Sequence, residues 1–345
     1  MRHLQYFLGD TTMTSLKLKT LLASLALAAS GMAAAQNSLL NVSYDVAREF
    51  YKDYNAAFAA HYKKTTGQDV KIDQSHAGSS AQARAVNDGL AADVVTMNTT
   101  TDVQFLADSG VVAKDWAKKF PHDASPTTST MLFLVRNGNP KNIKDWSDLT
   151  RPDVKVVVVN PKTGGNGRYA YLAAWGSVRE KGGTDAQAAE FVQQLYKNVP
   201  VLGKGGRDAT SIFLQRNIGD VLITFESEVV SVEREFGKGK VDAVHPSVSI
   251  VAENPVAVVE RTVAKKGTGQ LAQDYLAWLY SDEAQEIAAQ HALRPRSEAV
   301  LKKHADVFKP IKQFTVAKYF GSLSEAQKVH FNDGGQFDKI YVPGK

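Results

Sequence analysis

The sequence predicts an α/β fold, and three observations carry that expectation. Short apolar β-branched runs alternate with segments of helical spacing along the whole chain. Glycine-rich turns stand between a strand and a helix at more than one place. The 345 residues are 43% hydrophobic, enough to bury one or two domain cores.

Leu39-Leu40-Asn41-Val42 reads as the first strand. From Val46 the apolar residues Val46, Phe50, Tyr54, Phe58 and Tyr62 recur every four positions, which is one face of a helix. Val70-Lys71-Ile72 is a short strand, followed by a polar loop from Gln74 to Ser80 and a helix from Ala81 to Leu90. Asp93-Val94-Val95-Thr96-Met97 is a buried strand, as are Met131 to Val135 and Val154 to Val159. Asn160-Pro161-Lys162-Thr163-Gly164-Gly165-Asn166-Gly167-Arg168 then leads into the helically spaced run Tyr169 to Trp175. Thr184 is placed to cap a helix from Asp185 to Tyr196. A second glycine-rich turn, Gly203 to Asp208, precedes a helix from Ala209 to Arg216 and a strand from Asp220 to Phe225. Helices from Leu271 to Leu279 and from Ser281 to Gln290 follow. Such alternation implies mainly parallel sheets.

The N-terminus stands apart from this rhythm. Met13 to Lys19 is a basic stretch, Leu21 to Ala29 is apolar but too short to span a membrane, and Ala33-Ala34-Ala35 before Gln36 fits a cleavage site. Residues 1–12 are read as an upstream extension and 13–35 as a signal peptide, so the mature chain is expected from Gln36 in the periplasm. Removing residues 1–35, with Arg2, Lys17, Lys19 and Asp10, lowers the formal charge from +5 to +3. That mild charge, without a Lys/Arg-rich block, argues against nucleic acid as a partner. The chain has no cysteine, which excludes disulfides, cysteine nucleophiles and zinc–cysteine sites.

Four places set a strand end against a turn or helix start: Ser43-Tyr44-Asp45, His76 to Ser80, Asn160 to Arg168, and Gly205-Gly206-Arg207. Helix starts present unpaired backbone N–H groups and the positive end of the helix dipole, an anion site that needs no charged side chain. In open α/β sheets ligands sit beyond the carboxyl ends of strands, so two facing sheets would bring such turns into one cleft.

Enzyme chemistry finds little support. The eight histidines, His3, His61, His76, His122, His245, His291, His304 and His330, show no metal-ligand pairing and no His-Glu-x-x-His. His76 beside the turns is read as a loop-structuring residue. Ser79 lacks the flanking glycines of a nucleophile elbow and is read as an N–H donor or a cap for the helix near Ala81. Neither glycine turn carries the P-loop pattern. Arg168 and Arg207 are read as structural residues beside the turns that add long-range attraction for anions. An anion-processing hydrolase is kept as a weak alternative, with no cofactor or metal expected.

The residues also carry a resemblance. Leu39 to Asp45, Gln74 to Ser80, Ala92 to Thr96, Gly138 to Trp146, Asn160 to Thr163, Tyr171 to Gly176, Gly219 to Ile223 and His330 to Gly335 resemble, in order, the periplasmic sulfate- and thiosulfate-binding proteins that serve ABC importers. The likeness runs from about Leu39 to Tyr341. It implies the type II periplasmic-binding-protein fold: two lobes, each a mixed sheet flanked by helices, closing about a hinge on an anion. It implies backbone N–H contacts at Asp45, Ser79, Gly165, Asn166 and Gly206, with Ser80, Gly164 and Phe225 lining the pocket. It also implies sulfate or thiosulfate as ligand, membrane permease subunits as partner, and a monomer. Lobe 1 is expected over 37–120 plus 250–345 and lobe 2 over 121–247, with crossings at Pro121 to Thr130 and His245 to Val251. The stretch from Val316 is expected mainly on lobe 1, touching both.

This chain departs from the family's sulfate binders at two side-chain donors. Gly164 stands where they have serine, and Phe225 stands where they have tryptophan. Phe225, Ala77 to Ser80 and Asn166 look more like the thiosulfate-binding branch, from which Gly164 departs as well. Phosphate is the competing ligand, followed by molybdate-type oxyanions. Hydrogen phosphate carries a proton and wants an acceptor carboxylate, and Asp45 is the acid near the inferred site.

Overall fold

The computed structural model describes residues 37–236 and 239–341. The expected extension and signal peptide lie outside them. Two sheets organise the chain. In the first, the strand order is Val256–Val258, Val94–Thr96, Ser38–Tyr44, Lys71–Ala77. In the second it is Leu202–Gly203, Val156–Val159, Val221–Phe225, Met131–Arg136, Val241–Val244. No described helix is long and apolar enough to cross a membrane.

Each sheet is mainly parallel with one strand reversed, so both are mixed. Ser38–Tyr44 runs parallel to both of its neighbours, and Val156–Val159 is parallel to both of its own. The antiparallel members are Val256–Val258 on Val94–Thr96 and Met131–Arg136 on Val221–Phe225. They are the strands that follow directly on the crossings between the two sheets. Each enters at the edge where its neighbour ends, Met131 opposite Phe225 and Val256 opposite Thr96, and so runs the opposite way. The crossings themselves pair: Ala252–Asn254 lies antiparallel to Thr127–Ser129, with Arg294–Pro295 on the other side.

Each sheet has its own core. The first gathers Val42, Tyr54, Phe58, Val94, Val95, Leu106 and Tyr275, from residues 39–124 and 256–293. The second sheet is covered on both faces. Alternation along its strands sends Met131, Phe133, Ile223 and Phe225 to one face and Leu132, Leu134 and Leu222 to the other. Helix Gly165–Glu180 covers the first of those faces and helix Gly206–Leu214 the second.

The stretch from Val316, expected mainly on lobe 1, packs instead on the second core. Phe320, Leu323, Ala326, Phe331 and Phe337 are buried there. The physical reason is the composition of helix Gly165–Glu180. It is buried all round from Gly165 to Ser177, and Tyr171 on its outer side needs an apolar cover. Phe331 lies 5.1 Å from the Tyr171 ring, and Phe337 lies 5.3 Å from Tyr196. His330 stands 4.8 Å from Trp175 and shares a 3.1 Å hydrogen bond, through Nδ1, with the Tyr171 hydroxyl.

His330 is 5% exposed, and this burial pulls its pKa down to about 4, with Asp185 opposing weakly. A group whose folded pKa lies below its unfolded value of about 6.5 favours the fold above that pH and loses its contribution as pH falls toward 4. The loss amounts to roughly 3 kcal/mol. Urea unfolding midpoints are therefore expected to fall between pH 7 and pH 4.5, and His330→Gln should flatten that fall. An equal fall in both proteins would assign the acid sensitivity elsewhere.

Candidate functional site

The four turns marked in the sequence come together. Ser38–Tyr44 and Lys71–Ala77 are parallel with Tyr44 opposite Ala77, so the turns after them lie side by side on one edge. Val156–Val159 and Leu202–Gly203 are parallel with Val159 opposite Gly203, so their following turns are also neighbours. The two pairs then face each other. A Cβ on Gly78 would stand 3.5 Å from the Lys204 carbonyl and 3.6 Å from that of Thr163. A Cβ on Gly205 would stand 2.8 Å from Asp45 Oδ2, and one on Gly206 would stand 2.6 Å from Val46 Cγ2. One on Gly165 would fall inside contact distance of Asn98 Oδ1. Glycine is needed at Gly165, Gly205 and Gly206 for close approach, since none has a positive φ, while a Cβ on Gly78 would make ordinary contacts.

The helices start earlier than the apolar spacing implies, and this decides what the turns present. The helix expected from Ala81 begins at Ser79, the one expected from Ala209 begins at Gly206, and the one read from Tyr169 begins at Gly165. Ser79, Gly165, Asn166 and Gly206 thus all lie in first turns, where backbone N–H groups have no partner within the helix. The missed residues are glycine, serine and asparagine, weak in helix propensity but suited to helix starts. Ser79 does not cap a helix from Ala81. Its hydroxyl donates to Met97 Sδ at 3.5 Å and accepts the Asn98 N–H at 3.4 Å. Thr184, by contrast, caps its helix as expected, accepting from the Gln187 N–H.

Asp45 stands at the junction. Its Oδ1 takes the Val46 N–H at 3.0 Å and its Oδ2 takes the Arg207 N–H at 3.2 Å, across from the first sheet to the second. His76 Nδ1 lies 3.1 Å from the Tyr44 carbonyl, tying the first two strand ends together, and burial lowers its pKa. Glu228 is fully buried behind Gly206, where Thr210 donates to it at 2.5 Å. Burial pushes its carboxyl up, with Arg207 opposing.

Arg168 and Ser80 meet in a buried network between the units. Arg168 Nη1 lies 3.3 Å from Asp102 Oδ1 and 3.1 Å from Thr101 Oγ1. Nη2 donates to Ser80 Oγ at 3.1 Å and Nε to the Pro161 carbonyl at 3.1 Å. The Ser80 hydroxyl in turn donates to Asp102 at 2.8 Å. The Arg168 guanidinium is thereby committed to protein groups, a structural role beside the turn. Arg207 pairs with Glu235 at 2.8 Å.

Phe225 is 2% exposed, its ring 6.1 Å from Tyr169 within the second core. Its neighbour Thr224 points to the opposite face of the sheet and meets Asn166, whose Nδ2 donates to Thr224 Oγ1 at 3.3 Å. Gly164 caps helix Gly165–Glu180 in extended conformation, φ −151° and ψ 145°. Asn98 and Thr224 were not singled out in the sequence. Asn98 lies just past the strand Val94–Thr96, on the same sheet as Ser38–Tyr44, so its position after a strand end was the available signal. Among the described residues no group of three or more histidine or acidic side chains is placed to hold a metal.

The Asp102–Arg168 pair bridges the two units with both side chains 7% exposed. Removing one partner of a buried pair costs about 3–5 kcal/mol when the other charge stays buried. Opening the cleft would rehydrate Arg168, so Asp102→Asn is expected to favour a more open form. Solution scattering should give a larger radius of gyration than wild type, with Asp102→Asn/Arg168→Met restoring part of the difference.

The chain matches the family described as bacterial extracellular solute-binding protein over residues 40–294. It is 55% identical over 318 residues to a thiosulfate-binding protein of Pseudomonas aeruginosa, covering 92% of this chain and 96% of that one. It is 50% identical over 315 residues to a sulfate-binding protein of Escherichia coli, covering 91% and 96%. The solved sulfate-binding protein SubI of Mycobacterium tuberculosis superposes with a TM-score of 0.74 at 32% identity, covering 84% of this chain and 98% of that one. The two-sheet architecture is accordingly the two-lobed fold of such proteins, whose work is transport and not catalysis. With most of its length matched by the family and by these relatives, the chain belongs to the bacterial extracellular solute-binding proteins.

Proposed function

We propose that this protein binds sulfate or thiosulfate in the cleft between its lobes and delivers it to an ABC importer for sulfur uptake. The observation that carries the reading is the convergence of four helix-start turns from two sheets, presenting mainly backbone N–H donors. Donors suit an oxyanion that carries no proton, and the nearby carboxylate acceptor, Asp45, already takes the Val46 and Arg207 N–H groups, so hydrogen phosphate would leave its own donor facing donors. Asp45, Ser79, Gly165, Asn166 and Gly206 supply the N–H groups, and Ser80, Gly164 and Phe225 shape the surroundings. The names of the relatives, thiosulfate-binding and sulfate-binding, support the same ligands.

The protein works in the periplasm as a monomer, docking its closed form on the permease subunits of the importer. Lobe 1 comprises 37–120 and the chain returning after 250. Lobe 2 comprises 121–247, with the stretch from Val316 packed on it. Closure about the paired crossings encloses the anion.

Gly164 and Phe225 take away two side-chain donors, so the site tolerates the larger, softer sulfur of thiosulfate. Calorimetry on the chain from Gln36 is expected to give heat with thiosulfate and with sulfate, and little with phosphate or molybdate. Tight sulfate binding with no thiosulfate response would overturn the thiosulfate part, and a preference for phosphate would overturn the whole. Gly164→Ser is expected to bind sulfate about tenfold more tightly through one added hydrogen bond to a charged group. Its Cβ would meet Val159 Cγ1 at 3.2 Å, a contact that a small shift relieves.

A further inference from the structure

We infer that the side-chain amide of Asn166 donates directly to the bound oxyanion, replacing the donors that Gly164 and Phe225 leave out. This rests on the anion reading above and deepens it. Asn166 is 3% exposed in the first turn of helix Gly165–Glu180. Its Nδ2 lies 3.7 Å from where a Cβ of Gly206 would stand, so the amide sits between two helix starts. Its Oδ1 is buried and has no hydrogen-bond partner.

In that orientation a buried carbonyl oxygen is left without a donor, and Nδ2 is spent on Thr224. A half-turn about the last side-chain bond exchanges the amide's nitrogen and oxygen, which are nearly equal in size. Turned, Oδ1 accepts the hydroxyl proton of Thr224, and Nδ2 directs its N–H groups into the cleft. Thr224 permits this because a hydroxyl both accepts, as it does from Nδ2 at 3.3 Å, and donates. Thr224 is thus a positioning residue for Asn166. The ligand this favours is a fully deprotonated tetrahedral oxyanion, because a protonated one would be served by the carbonyl instead.

A hydrogen bond to a charged group corresponds to about 10- to 150-fold in affinity. Sulfate and thiosulfate titrations of wild type, Asn166→Ala, Asn166→Asp, Thr224→Val and the double variant Asn166→Ala/Thr224→Val test the inference, with the melting temperature of each ligand-free protein as a fold control. Asn166→Ala keeps the backbone N–H and is expected to weaken both anions by about 10- to 150-fold. Asn166→Asp, unable to donate when ionised, should be at least as weak. Thr224→Val should weaken binding only while Asn166 is present, so the double variant binds like Asn166→Ala alone. In wild type labelled with nitrogen-15, the Asn166 side-chain amide signal should move on adding sulfate, a readout independent of whether any variant folds. Wild-type affinity in Asn166→Ala, or an unmoved amide signal in a sulfate-saturated wild type, would overturn the inference alone. A wild type that binds neither anion would overturn the anion reading beneath it.

Discussion

Bare backbone at facing helix starts is the constraint on which the rest of this structure depends. Four turns approach within van der Waals distance, and Gly165, Gly205 and Gly206 have no room for a side chain. The approach is close only because each lobe holds two of the turns at matching register on adjacent parallel strands. Register on that edge is fixed by the buried faces of the sheets, since slipping a strand by one residue would turn its apolar side chains outward. The cores thus decide the geometry of a site that contains few of their own residues.

Closing two polar edges on each other raises an electrostatic problem, and the surrounding groups answer it. Helix starts carry positive ends, and the nearby acids are each held by donors. Asp45 takes two backbone N–H groups, Asp102 is matched to Arg168, and burial pushes the Glu228 carboxyl up. The cations are likewise spent on protein partners: Arg168 on Asp102 and Ser80, Arg207 on Glu235. What is left facing the cleft is mainly the field of the backbone, joined by the Asn166 amide; neither titrates, and both select by the proton content of the ligand. That is a reasonable basis for distinguishing sulfate-like anions from hydrogen phosphate.

Much of this was legible in the sequence. The β-branched runs at Val154 to Val159 and Val221 to Phe225 and the four-residue spacing from Val46 name strands and a helix because their periods match burial in one layer. The glycine turns announced themselves by composition. Other features were not legible. Helix starts at Ser79, Gly165 and Gly206 were read two to four residues late, because glycine and serine carry no apolar period. Asn98 offered only its place after a strand end and Thr224 no local signal, for their neighbours, Gly165 and Asn166, are distant in the chain. The stretch from Val316 was assigned to the wrong side because its aromatic residues would suit either core, and only the outer flank of helix Gly165–Glu180, which needs an apolar cover, selects one.

By itself the sequence determined the alternation of strands and helices, the lack of cysteine chemistry and the places where the backbone is bare. These follow from local composition and spacing, which burial and φ/ψ restrictions translate directly into structure. The tertiary structure alone decided that the four bare turns face one another, that Ser80 serves the Arg168–Asp102 network, and that Asn166 lies between two helix starts. Those facts depend on how two separately folded sheets meet, and contacts between residues far apart in the chain leave no periodic trace along it.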